Sequence, residues 1–172
     1  MKAVITWKFL SVVLVAALLS GCALKSIQPY ADGDYGLVIM ATDVSAERKQ
    51  EIWYDYVFTV RNLNTNEERR MRTAPRVGDT YELLGKLPAG NYIIDRRESL
   101  AKSGRRVYPR DMSAPFEVEA GKVTLQHKLT VSSRDNAQYF SMTYLGKQEA
   151  TTLFENELQS RDDFDGWELK QR

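Results

Sequence analysis

Ile52-Trp53-Tyr54-Asp55-Tyr56-Val57-Phe58-Thr59-Val60-Arg61 is the stretch that decides the fold. Ile52, Tyr54, Tyr56, Phe58 and Val60 fall on one side of an extended chain, and Trp53, Asp55, Val57, Thr59 and Arg61 on the other. A period of two, with aromatic and β-branched residues on one side, predicts a strand with one buried face. After it, Leu63-Asn64-Thr65-Asn66 supplies a turn. Glu67 to Thr73 returns as a polar strand whose arginines suit an exposed sheet edge, where charge discourages pairing between molecules.

The same pattern continues on both sides. Gly36 to Thr42 is a short apolar run, consistent with a buried strand. Asp79 to Leu87 alternates, with Tyr81, Leu83 and Leu87 predicted inward. In Leu87-Pro88-Ala89-Gly90-Asn91-Tyr92, Pro88 fixes φ and Gly90 can take positive φ, so the chain turns tightly before Tyr92-Ile93-Ile94 resumes a strand. Lys102-Ser103-Gly104 marks a turn. Phe116 and Val118 alternate with Glu117 and Glu119, and Ala120-Gly121-Lys122 reverses the chain. Val123, Leu125, Leu129 and Val131 are predicted to share one face, and Tyr139 to Leu145 reads as a last strand. About seven or eight short strands between turn signals predict a mainly β fold, an antiparallel β-sandwich over residues 35–146. No long helical period interrupts them, which argues against a doubly wound α/β fold.

Residues 147–172 differ. Thr152-Leu153-Phe154-Glu155 fits a capping box, and Phe154 and Leu158 stand four apart, so a short helix is predicted at about 152–161. Phe154, Leu158 and Trp167 need somewhere to bury. Trp53, on the outward register of its strand, is expected under that helix, with an interaction surface as the alternative reading.

The first residues speak to location. Lys2 and Lys8 precede an uncharged run from Phe9 to Leu19, shorter than the roughly 20 apolar residues of a spanning helix. That is the form of a secretory signal peptide, over residues 1–21. Leu19-Ser20-Gly21-Cys22 then resembles the bacterial lipobox. The resemblance implies cleavage before Cys22, acylation of its thiol and of the new amine, and a membrane partner engaged through lipid. Several acyl chains anchor stably where a single one binds only marginally. Ala23 stands where Asp would favour inner-membrane retention, so the resemblance implies the periplasmic face of the outer membrane. Residues 22–34, with Pro29 and Asp32-Gly33, read as the lipidated start and a tether.

Leu87-Pro88-Ala89-Gly90-Asn91-Tyr92 together with Phe116-Glu117-Val118-Glu119-Ala120-Gly121-Lys122-Val123 is similar to transthyretin-like and carboxypeptidase-regulatory-like β-sandwich domains. Those are mostly non-catalytic binding or spacer modules, and the resemblance carries no functional residues over. Lipoproteins of type VI secretion systems share the plan of a lipobox plus such a sandwich, by analogy alone.

Composition and motifs narrow the chemistry. Residues 1–21 hold two of the 24 Lys and Arg and none of the 23 Asp and Glu, which leaves the other 151 residues at a formal charge of −1. That argues against a nucleic-acid partner. Cys22 is the one cysteine, so its acylation would leave no thiol for a disulfide, a nucleophile or a zinc site. His127 is the one histidine and lies on the inward register of its strand, where a hydrogen-bonded core residue is a commoner role than a base. Ser132, Ser133 and Asp135 are near it in sequence, but neighbours along one strand seldom converge as a triad. Asp163-Phe164-Asp165-Gly166 resembles part of a calcium loop, yet that alignment puts Arg161 and Arg172 where carboxylates are required. No cofactor or metal is expected.

Residues 61–110 carry twelve Lys and Arg against six Asp and Glu; residues 148–172 carry seven acids against three bases. Two solvated faces, or an acidic tail lying over a basic sheet, account for this, and a partner-binding patch is the alternative. Trp53, Arg61, Arg69, Arg70, Arg72, Arg96 and Arg97 are its candidates, tryptophan and arginine being enriched at interfaces. The sequence therefore points to a non-enzymatic, lipid-anchored binding or scaffold protein whose partner is an envelope protein. A peptidoglycan or polysaccharide module and a carboxylate-based hydrolase stay open as alternatives.

Overall fold

The computed structural model describes residues 27–47, 52–103 and 106–170, so the expected signal segment and Cys22 lie outside the described residues. The fold is mainly β: two packed sheets and one short helix. Among the described residues ten strands are formed, namely β1 (Tyr35–Ala46), β2 (Tyr54–Asn62), β3 (Glu68–Thr73), β4 (Tyr81–Pro88), β5 (Gly90–Ala101), β6 (Arg106–Val118), β7 (Lys122–Thr124), β8 (His127–Arg134), β9 (Ala137–Tyr144) and β10 (Glu168–Leu169). One sheet has the order β3-β2-β5-β6, antiparallel throughout. In the other, β1 pairs with β4 on one flank and, on its second flank, with β7 and then β8. β10 lies outside β7 and β9 outside β8.

β2 has the predicted sidedness: Tyr56, Phe58 and Val60 enter the core between the sheets, where Phe58 is fully buried. β3 is the charged edge that was expected. β1 explains its own unbroken apolar run, because both its faces are covered. Val38, Met40 and Val44 meet the inter-sheet core, while Leu37, Ile39 and Ala41 face outward into a second core.

That second core is roofed by the C-terminal segment. Helix α1 (Lys147–Leu153) continues into a π-helical turn over Phe154–Leu158, and Ala150, Phe154, Leu158, Phe164 and Trp167 pack down onto Leu37, Ile39, Val123 and Leu125. The molecule thus has three layers: helix, helix-covered sheet and open sheet. The helix begins five residues before its expected start, with Gly146 as its N-cap and no side-chain cap, and Thr152 lies within it. The capping box is unused, because Leu145, buried in the second core, fixes where the chain leaves β9.

Two expected registers are corrected. Val123 and Leu125 face the helix layer, whereas Leu129 and Val131 face the other sheet. The strand breaks at Leu125-Gln126, and the side chains change face there. On β4, Tyr81 and Leu83 pack against the second core and Leu84 and Leu87 against the first. A bulge opposite Val38 and Ile39 inserts one extra residue beside Gly85 (φ +145°).

β1 also runs parallel to β7 and β8, and β7 to β10, within an otherwise antiparallel architecture. The two turn motifs carry the chain from one sheet to the other rather than closing hairpins. At the first, the Tyr92 hydroxyl donates to the Pro88 carbonyl (2.9 Å), a tyrosine corner that fixes the crossing from β4 to β5.

Residues 27–34 contain no helix or strand, but they are docked. Ile27 is buried in the second core, the Tyr30 amide donates to the Asp165 carbonyl (2.8 Å), and the Trp167 indole donates to the Gln28 carbonyl (2.8 Å). Tyr30, Tyr35 and Trp167 form an aromatic cluster with ring centroids 4.9–5.9 Å apart. Gly166 (φ +75°) is where the backbones meet, and a side chain there would run into the Tyr30 carbonyl.

Candidate functional site

The arginines expected to form one patch are divided between two faces, and most are already paired. On the outer face of the open sheet, β2 contributes Asp55, Val57 and Thr59, all buried. Val57 lies between Arg72 of β3 and Glu98 of β5, and Thr59 between Arg70 and Arg96. The pairing is diagonal. Arg72 donates to Asp55 through two nitrogens, and Arg70 donates to Glu98 at 2.5 Å. The carboxylates are sunk at the base of the face, with side chains 7% and 5% exposed, while Arg72 and Arg70 lie over them at 62% and 59%. Arg61 pairs with Asp95 (2.8 Å), the extra residue of a β5 bulge, and Arg96 stands 3.8 Å from Asp111 across the β5–β6 register. The arginine side chains lie across this face while their heads stay in water.

This face is thus an ion-pair lattice rather than a free positive surface. Asp55 Oδ1 is buried with no hydrogen-bond donor among the described residues.

Arg69 and Arg97 lie elsewhere. Arg69 bridges to Glu67 (3.1 Å) on the exposed edge. Arg97 points to the inner side and rests on aromatic rings, 3.9 Å from the Phe140 centroid and 5.6 Å from that of Tyr56. Burial lowers its pKa and raises that of the Tyr56 hydroxyl, each losing hydration of its charged form. Arg97 thereby links β5 of one sheet to β9 of the other.

Trp53 is not under the helix. It precedes β2, in the open sheet, and the helix covers the other sheet. Trp53 is half-buried and its amide donates to the Gln138 side chain of β9 (2.8 Å), while Gln138 donates to the Tyr56 hydroxyl (2.5 Å). Trp167 fills the place expected of Trp53. Nor do the exposed tyrosines make a stacking platform: Tyr139 and Tyr144 stand five apart on β9 and point to opposite faces.

The structure does not assemble the sparse catalytic candidates either. His127 is buried at the start of β8, edge-on to Phe116 and 4.9 Å from the Tyr144 ring. Ser132 and Ser133 lie at the far end of the same strand, about 17 Å away or more at roughly 3.3 Å per residue, and Asp135 is in the turn beyond it. Asp163 commits both carboxylate oxygens to Arg161 (2.9 and 2.7 Å), and that guanidinium holds its pKa below the usual aspartate range. Its neighbour Phe164 is buried, so the segment packs as a 3-10 turn on the second core.

A feature the sequence reading passed over is the flank of β9. Among the described residues β9 pairs with β8 alone. Its sequence, Ala137-Gln138-Tyr139-Phe140-Ser141-Met142-Thr143-Tyr144, contains no charge and no proline, and that absence was the available signal.

No protein-family model matches the chain, and no curated protein sequence does. Among solved structures, a leucine-rich repeat protein from Bacteroides thetaiotaomicron is similar with a TM-score of 0.40 and 18% identity, over 60% of this chain and 14% of that protein. The chain therefore spans a small part of that protein's length.

Proposed function

We propose that this chain is a non-enzymatic, lipid-anchored protein at the periplasmic face of the outer membrane, binding or scaffolding another protein of the cell envelope. The observation that carries the reading is Leu19-Ser20-Gly21-Cys22 directly after an uncharged run, with Cys22 the one cysteine in the chain. Acylation there gives two-signal, stable anchoring. Four residues, 23–26, separate Cys22 from the docked Ile27. The five residue steps from Cys22 to Ile27 reach at most about 18 Å. The folded part is then held close to the bilayer, at a raised effective concentration for envelope partners.

The charge pattern agrees with a binding role. The buried acids of the open sheet's outer face, Asp55 and Glu98, are occupied by arginines. Asp163 and Glu168 are both held below their usual pKa ranges by neighbouring cations, the opposite of what a general acid needs.

Intact mass of membrane-fraction protein tests the anchor. The expected species lacks residues 1–21 and carries a diacylglyceryl group and an amide-linked acyl chain, and Cys22→Ser abolishes both changes. Residues 1–21 still present, or an unmodified Cys22, would overturn the placement. Crosslinking in intact cells followed by mass spectrometry then identifies the partner.

A further inference from the structure

Among the described residues, Arg61, Arg69, Arg70, Arg72, Arg96 and Arg161 each take a carboxylate. Arg76 and Arg134 take none, but each stands singly and exposed near a strand end. Arg97 and Arg110 take none either, and they stand together. They face each other across the β5–β6 register, on the inward side that Phe58 shares. Cross-strand neighbours have Cβ atoms about 4.5–5.5 Å apart, and like charges so placed repel. No described acid offsets the repulsion. Glu98 and Asp111 pair with arginines on the outer face, Asp95 is held by Arg61, and β9 carries no charge. Arg97 is half-buried and fixed, with its guanidinium 3.9 Å from the Phe140 ring centroid. Its Nε is buried with no acceptor among the described residues, which costs free energy, more so for a charged donor. Burial is the main cause that lowers the Arg97 pKa, and Arg110 lowers it further. Arg110 is exposed, at the flank where β6 and β9 end their sheets.

We propose that Arg97 and Arg110 form a binding site for a doubly ionised phosphate group of the monoester type. A guanidinium fork matches phosphate oxygens two at a time. Charge decides between the anions that could sit there. A phosphate monoester carries about −1.5 to −2 near pH 7, enough to balance both arginines. A carboxylate balances one and leaves the other repelled. The two arginines have different parts. Arg97, held against the Phe140 and Tyr56 rings, offers a fork that loses little side-chain freedom on binding. Arg110 reaches the same anion from the solvent side. Binding then removes the repulsion across β5–β6. The inference is independent of the lipid anchor, because it rests on this pair alone.

The test uses the full chain purified from membranes in a sugar-based, phosphate-free detergent, with glycerol phosphate as the probe. Isothermal titration calorimetry is expected to show one saturable site for glycerol phosphate and none for acetate at the same ionic strength. Arg110→Gln is expected to weaken binding about tenfold or more, the loss of a charge-assisted contact, while Arg76→Gln leaves it unchanged. Thermal melting gives a second reading. In the absence of phosphate, Arg110→Gln removes a like charge and should keep or raise the melting temperature. It should also abolish the rise that glycerol phosphate gives the parent chain. Arg97→Met, which keeps an apolar stem against the rings, is expected to lose binding as well, and Arg110→Gln carries the test if that variant folds poorly. A parent chain with no saturable site, acetate bound as well as glycerol phosphate, or binding that survives Arg110→Gln would overturn the proposal.

Discussion

Leu37, Ile39, Ala41, Val123 and Leu125 form the outer face of one sheet; Asp55, Val57, Thr59 and Glu98 form that of the other. Both are buried, by opposite means. The first is apolar and takes a helix as its cover, so its stability comes from area removed from water. The second has no covering element among the described residues. Its acids are shielded by arginine side chains that lie across the sheet, and its stability depends on each carboxylate keeping its cation. The apolar face is insensitive to salt and intolerant of lost volume. The charged face is expected to be the reverse.

The largest expected effect breaks the apolar side. Leu158 is fully buried between the π-helical turn and the sheet. Leu158→Ala is expected to cost about 3 kcal/mol, the middle of the range for buried leucines, read as a lower urea midpoint at unchanged slope. A loss below about 1 kcal/mol would show that the helix layer contributes little.

On the charged side, Arg72→Met leaves Asp55 buried without its cation. Losing a fully buried partner costs about 3–5 kcal/mol. Arg72 is 62% exposed, so water replaces part of it, and about 1–2 kcal/mol is expected. Adding Asp55→Asn should return most of that loss. If the two single losses simply add, the pair is not coupled and the lattice is ordinary surface charge.

The smallest effect sharpens the account of how the helix starts. Losing a true N-cap typically costs about 1 kcal/mol. Thr152 lies inside the helix and is exposed. Thr152→Ala should therefore leave thermal stability unchanged or raise it by a few tenths of a kcal/mol, through helix propensity alone.

The sequence made the strands legible wherever period two ran unbroken against one core. The sides of β2, the charged edge of β3 and the apolar density of β1 are all legible there. What stayed hidden was set by single-residue events. The extra residue on β4 and the break at Leu125-Gln126 each exchange the two faces of a strand without altering its composition. The parallel pairing of β1 with β8 is likewise a tertiary choice with no local mark. A charge count found the arginines of residues 61–110, but their partners are diagonal neighbours on three strands, and only register reveals them. Trp53 and Trp167 were both seen as aromatics in need of cover. Which of them the helix layer takes depends on which sheet it roofs.

The clasp between Ile27–Tyr30 and Asp165–Trp167 also has a mechanical meaning. Tension arriving through the residues before Ile27 enters the fold at a backbone hydrogen bond and an indole ring wedged beneath it, and passes through Val123 to the central strand β1. The load is shared by both ends of the chain at once. Pulling at the start should therefore peel away the C-terminal layer before any strand of the sandwich slides.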